Sequence, residues 1–117
     1  MDDEIPWRAL CRLEDIPDGG AKEFAPSPGS YSGLFAVRRG AEVVVYENSC
    51  PHVGVPLNWA PDRFLDGRCE HIVCGTHGAL FRIEDGMCIK GPCTGEALEP
   101  IPFRIEDGVV FVDPEAP

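Results

Sequence analysis

Two short stretches, "CPHVGVPL" (50–57) and "CGTHGALF" (74–81), hold the side chains of this chain best suited to chemistry. Cys50 and His52 stand one residue apart, and Cys74 and His77 two residues apart. In an extended loop such spacings let two side chains converge on one centre. Pro51, Pro56, Gly54, Gly75 and Gly78 set the chain path, and the glycines let backbone N–H groups come close. Two thiolates and two imidazoles suit zinc or an iron–sulfur cluster, and suit magnesium or calcium poorly. Three arrangements compete. The four side chains are ordinary core residues, or a structural Cys2His2 zinc site, or a [2Fe–2S] centre in which two His replace two Cys on one iron. Zinc sites of that kind normally pair Cys with Cys and His with His, whereas each loop here mixes the two. The mixed pairing lets each loop supply one ligand to each iron.

The elements that must position these loops have the period of strands. "WRALCRL" (7–13) and "AKEFAP" (21–26) read as two strands around the turn "EDIPDGG". "GLFAVRRGAEVVVYEN" reads as a hairpin turning near Arg39 and Gly40, with Val37, Val43 and Val45 in the core. After Cys50 the pattern stops, and "PHVGVPLNWAPDRFLDGRCE" reads as a long ordered loop of the functional kind, with at most a short turn near "PDRFLD". Strands resume at "HIVC", "ALFRI", "GMCIK", "IPFRIE" and "VVFVD". The repeated tripeptides Glu84-Asp85-Gly86 and Glu106-Asp107-Gly108 are hairpin turn chemistry. Trp7 and Trp59 are expected to pack in the core or under loops. No domain boundary or internal repeat is visible. An all-β antiparallel domain is expected.

Composition narrows the function. One domain with one core fits 117 residues, and 13 Gly with 12 Pro argue for turn-rich β structure over a helical bundle. Twenty acidic against ten basic residues give a formal charge of −10, which disfavours nucleic acid and anionic membrane as partners. Residues 91–117 carry six carboxylates against Arg104 alone, a surface suited to solubility or to steering onto a basic partner. The acidic opening "MDDEIPWRALCRL" lacks an export signal, and no run is long enough to span a bilayer, so a cytoplasmic protein is expected. That compartment makes a disulfide scaffold from six Cys an unfavoured reading. Cys11 is expected as a buried small hydrophobe and Cys69 as exposed. Cys88 and Cys93 are near enough to pair, but are expected as thiols.

The two boxes resemble those of the Rieske [2Fe–2S] proteins, and the likeness extends from the strand at Trp7 to the closing "RIEDGVVFV". The resemblance implies one [2Fe–2S] cluster, with Cys50 and Cys74 on one iron and His52 and His77 on the other. It implies an antiparallel β base with a cluster-binding subdomain inserted at roughly 46–86, the whole of 1–117 being a single domain. "KGPC" (90–93) falls where the family has a Pro-containing covering loop, so Gly91 and Pro92 are expected to shield the cluster, alongside Pro51, Gly54, Gly75, Gly78, Ala79 and Phe81. The 21 residues between His52 and Cys74 are more than many relatives have. Cys69-x-His71 copies the first spacing but lies too close to Cys74 to form an independent loop, so His71 is read as an ordinary strand residue.

Counting histidines separates the family's branches. Of three His, two are assigned to the cluster, so the 2-His-1-carboxylate iron site of a terminal oxygenase cannot be built. Val55 and Thr76 stand where membrane-bound relatives carry a disulfide between the loops. Ala79 and Phe81 stand where high-potential relatives carry a Ser and a Tyr that donate to sulfur. Donors aimed at the sulfurs favour the more negative reduced state, so their absence places the potential near the low end of the Rieske range, about −150 mV. The resulting expectation is a soluble Rieske-type ferredoxin. It would be a one-electron carrier and not itself an enzyme, relaying electrons from a flavin reductase to a terminal oxygenase. Electrons would leave at His52 and His77 inside an apolar rim of Pro51, Val53, Val55 and Gly78. The alternative is a small Rieske-like subunit of a larger oxidoreductase, as in assimilatory nitrite reductases. A redox-sensing or iron–sulfur-handling role is a third reading.

Overall fold

The computed structural model describes residues 7–26, 32–51, 54–68, 70–75 and 78–113. These residues form nine strands: β1 (Arg8–Arg12), β2 (Ala21–Phe24), β3 (Leu34–Arg39), β4 (Glu42–Glu47), β5 (His71–Val73), β6 (Leu80–Arg82), β7 (Cys88–Lys90), β8 (Phe103–Glu106) and β9 (Val109–Val112). They pair only antiparallel, in three sheets ordered β1-β9-β8, β2-β3-β4 and β5-β6-β7. The single helical element among the described residues is a 3-10 turn at Leu13–Asp15. The expected all-β antiparallel class is the observed one.

The β2-β3-β4 sheet lies between two cores, and its sequence says why. Alternate residues of a strand face opposite sides. Leu34 and Ala36 of β3, with Val43 and Val45 of β4, face a core shared with Ile16, Ile101, Val110 and Val112. Phe35, Val37 and Tyr46 face the other core, which holds Cys50, Cys74, Ala79, Phe81, Cys88 and Cys93. A strand covered on both sides has no polar face, so Leu34–Val37 is an unbroken buried run. Ring stacking ties this sheet to the loop region: Phe35 lies 4.3 Å from Phe64, nearly parallel at 6°. Tyr46 is buried, and its hydroxyl donates to the Ile83 carbonyl at 2.6 Å. Burial, and then the charges of Asp85 and Glu84, push its pKa up to about 12.

The first two strands are not partners. β1 pairs with β9 and β2 with β3, so the segment between them crosses from one sheet to another. Its hydrogen bonds explain the path. Leu13 N–H donates to Gly108 in the β8–β9 turn, and Gly19 N–H donates to Arg38 at the end of β3. Between these anchors Ile16 is fully buried in the second core. A two-strand reading of 7–26 misses this because the partners that win are about a hundred and about fifteen residues away. The β8–β9 turn behaves as its tripeptide requires, with Asp107 at φ 52° and Gly108 at φ 75°. Trp7 is half-buried and lies under the Arg104 guanidinium, 5.6 Å from the ring centre.

The long segment before β5 is ordered without regular structure. Glu23 and Asp62 exchange bonds from backbone N–H to side-chain carboxylate, at 2.8 and 3.0 Å. Phe64 is fully buried, and its carbonyl accepts from Val73 N–H. Burial pushes the Asp66 carboxyl up, but the N–H groups of Glu70 and His71 and the His71 ring outweigh it. The carboxyl is held below the usual carboxylate range. No helix forms at "PDRFLD".

Candidate metal centre

Cys50 ends the strand-side run after β4, and Cys74 follows directly on β5. Both are buried, and both open a loop closed by the same pair of backbone bonds. Cys50 N–H donates to the Val55 carbonyl at 2.8 Å, and Gly54 N–H donates to the Cys50 carbonyl at 2.7 Å. Cys74 N–H donates to the Ala79 carbonyl at 2.9 Å, and Gly78 N–H donates to the Cys74 carbonyl at 2.9 Å. The glycine four residues after each Cys has a left-handed backbone, φ 77° at Gly54 and 71° at Gly78, where a side chain would be strained. The loops are thus one turn used twice. His52 and His77 fall between these anchors in sequence and lie outside the described residues, as do Val53, Cys69 and Thr76.

The loops touch along one seam. Gly75 N–H donates to the Leu57 carbonyl at 2.8 Å, and a Cβ at Gly75 would come within 2.9 Å of the Trp59 Cβ. Leu57 is itself held from behind. Its N–H donates to the Asn48 side-chain oxygen at 2.8 Å, while the Asn48 amide donates to Asn58 at 3.0 Å. Asn48 is the one buried polar side chain among the described residues, and both ends of its amide are bonded.

The segment after β7 covers the second loop. Gly91 has φ 108°, and a Cβ there would meet the Ala79 Cα at 2.8 Å. Ala79 is therefore buried beneath Gly91, while Pro92 is exposed. Phe81 is fully buried on β6, opposite Ile72 of β5 and Cys88 of β7. Cys93 is buried and interacts with Cys88 and Cys50. Burial first, then the hydrogen bond and charge of these neighbours, push its thiol up to about 12. No disulfide forms among the described cysteines, and Cys11 is half-buried.

The described donor set, two buried thiols on matched loops, fits a metal centre. Among the described residues, no group of three or more His, Cys, Asp and Glu could hold a metal ion. The sequence profile of the Rieske [2Fe-2S] domain matches residues 6–105.

The chain belongs to the Rieske [2Fe-2S] family.

A Rieske domain carries one [2Fe–2S] Rieske cluster, and the soft Cys and His donors of the two boxes suit it. The chain is 22% identical over 103 residues to the ferredoxin subunit of 3-phenylpropionate/cinnamic acid dioxygenase from Photorhabdus laumondii subsp. laumondii, covering 88% of this chain and 90% of that one. Its structure resembles the Sphingomonas yanoikuyae B1 ferredoxin, with 29% identity, a TM-score of 0.70, and 92% and 98% of the two chains covered. It also resembles a chain in the complex of reduced oxygenase and oxidized ferredoxin of carbazole 1,9a-dioxygenase, with 27% identity, a TM-score of 0.75 and 95% of each chain covered. No helix among the described residues of this Rieske protein is long and apolar enough to cross a membrane.

Trp59 departs from the core placement, whereas His71 lies where it was expected. Trp59 is 53% exposed and not a core residue, although its Cα and Cβ lie close beside Gly75. Val55, in the first loop, is 37% exposed. His71 lies on β5 opposite Arg82, its Nδ1 3.3 Å from an Asp66 oxygen, as an ordinary strand residue would. Asn48 carries the first loop yet drew no notice in the sequence. The only signal was a polar amide two residues before a candidate ligand.

Proposed function

We propose that Cys50 and Cys74 bind one iron of the Rieske cluster and His52 and His77 the other, in a low-potential ferredoxin that relays single electrons. The observation that carries the ligand set is the repeated turn: Cys50 and Cys74 occupy equivalent places in it, and in sequence each turn encloses one His, two residues after Cys50 and three after Cys74. The cluster supplies a one-electron store when bound. The protein's own residues hold, cover and insulate it. On this reading 1–117 is one domain and 46–86 forms the cluster-binding part, with Gly91 and Pro92 covering it and Pro51, Gly54, Gly75 and Gly78 shaping its loops.

The potential follows from Ala79 and Phe81. Both are buried beside the loops, and neither side chain carries a hydroxyl to donate to sulfur. A low potential favours passing the electron onward. The partners we infer are a flavin reductase as donor and a terminal oxygenase as acceptor, in the cytoplasm. Support comes from the resemblance to a dioxygenase ferredoxin subunit and to a chain of a dioxygenase oxygenase–ferredoxin complex, each matched over nearly its full length. Electron exit at His52 and His77 would use the exposed apolar side chain of Val55 and the exposed Gly78, with Pro51 and Val53, as the contact rim.

Reconstitution tests the relay. With a flavin reductase and a ring-hydroxylating oxygenase, the wild-type protein is expected to cycle, and His52→Cys to lose transfer to the oxygenase. Unchanged transfer by that variant would sink the exit assignment. Pulsed EPR of protein labelled with 15N-histidine is expected to report two coupled imidazole nitrogens. One or none would overturn the ligand set.

A further inference from the structure

Two thiols outside the four proposed ligands lie side by side. The Cys93 S–H donates to the Cys88 sulfur across 3.2 Å, and the Cys88 S–H donates to the Lys90 carbonyl at 3.3 Å. Each residue is only 2% exposed. The backbone holds them in place from both sides. Cys88 N–H donates to Glu96, Gly95 N–H to Cys88 and Glu96 N–H to Cys93, while the Thr94 hydroxyl closes onto Gly91 at 2.7 Å. A disulfide needs its sulfurs about 2.05 Å apart, so at 3.2 Å the two sulfurs are in contact but unbonded.

We infer that Cys88 and Cys93 form a redox modification site: a dithiol that a small peroxide oxidises to a disulfide across the covering loop. Hydrogen peroxide is the oxidant class, because the buried pair leaves little room for a bulky disulfide reagent. The Cys88 sulfur attacks one peroxide oxygen and the O–O bond breaks. The thiol proton leaves with the other oxygen as water, and Cys88 becomes a sulfenic acid. The Cys93 sulfur then attacks the Cys88 sulfur, the S–O bond breaks, and a second water departs with the Cys93 proton. Two thiols are oxidised by two electrons, and one peroxide is reduced to two waters. Because Cys93 also interacts with Cys50, closure draws one sulfur away from a proposed ligand and stiffens the loop over Ala79.

The test uses the full-length, cluster-loaded protein and one equivalent of hydrogen peroxide. Remaining thiols are then alkylated under denaturing conditions and the peptides mapped by mass. The expected product is a peptide pair linked through Cys88 and Cys93, lighter by two hydrogens, formed in the majority of molecules and reversed by dithiothreitol. Cys93→Ser is expected to abolish the link and leave Cys88 oxidised beyond the thiol. Recovery of both cysteines as alkylated thiols, as separate sulfinic or sulfonic acids, or linked to other cysteines would overturn the inference. The wild-type map decides this even if the variant fails to fold. It is also read independently of the cluster's spectrum, so a wrong ligand assignment and a wrong dithiol assignment give different results.

Discussion

The loops that open at Cys50 and Cys74 share one hydrogen-bonded turn but are held by different means. The first hangs on a side chain: Asn48 reaches under it and accepts the Leu57 N–H. The second is built into a ladder. Cys74 follows β5, Ala79 precedes β6, and Gly91 presses on Ala79 from above. Identical local geometry therefore rests on one amide in one place and on strand pairing plus close backbone packing in the other. A turn repeated to match two ligands need not be supported symmetrically. Each support has its own weak point.

Removing a proposed ligand should erase the difference between the loops. Cys50→Ser and Cys74→Ser are each expected to lose the cluster almost completely, measured by iron content and visible absorption. Retention of a full cluster by either variant would show that its loop is not a ligand loop. Next in size, Gly91→Val places a side chain against the Ala79 Cα and on a left-handed backbone. A cost of about 2–4 kcal/mol is expected in denaturant unfolding. Hydrogen exchange should rise at Ala79 and spare Leu57.

Asn48→Ala probes the other support and should give the opposite pattern. It leaves the Leu57 N–H without its acceptor, at a cost of about 1–3 kcal/mol, with faster exchange at Leu57 and little change at Ala79. Equal exchange effects on both loops from either variant would mean that the supports are shared. Tyr46→Phe touches neither loop and should cost least, about 1 kcal/mol for one hydrogen bond. It also carries a pH signature. The native Tyr46 hydroxyl holds its proton to about pH 12, whereas an exposed tyrosine loses it near pH 10. Its contribution is therefore complete below about pH 10 and fades as pH rises through 12, because the unfolded chain then binds fewer protons than the native one. Tyr46→Phe should flatten the decline in stability across that window.

What was legible in the sequence was whatever depends on neighbours along the chain. The β3–β4 hairpin around Gly40 and the Asp107-Gly108 turn follow from local pattern and positive φ. The two boxes stood out because their spacing is short and their residue types are rare. Whatever depends on distant partners was hidden. The pairing of β1 with β9 joins residues about a hundred positions apart and has no turn to announce it. Asn48 looks like any loop amide until Leu57 is placed above it. Trp59 reads by type as a core or loop-packing residue, yet half of it faces solvent while its Cβ lies beside Gly75. The nearness of Cys93 to Cys88 was legible from five residues of separation, but its nearness to Cys50 requires the covering loop to fold back over the site.

The central claim is a Rieske cluster held without hydroxyl donors at Ala79 and Phe81. An EPR-monitored potentiometric titration of the dithionite-reduced protein tests it most directly. The account predicts a Rieske-type signal that titrates as a single one-electron step near the low end of the family's range, about −150 mV. A silent spectrum, or a midpoint well above zero, would contradict it.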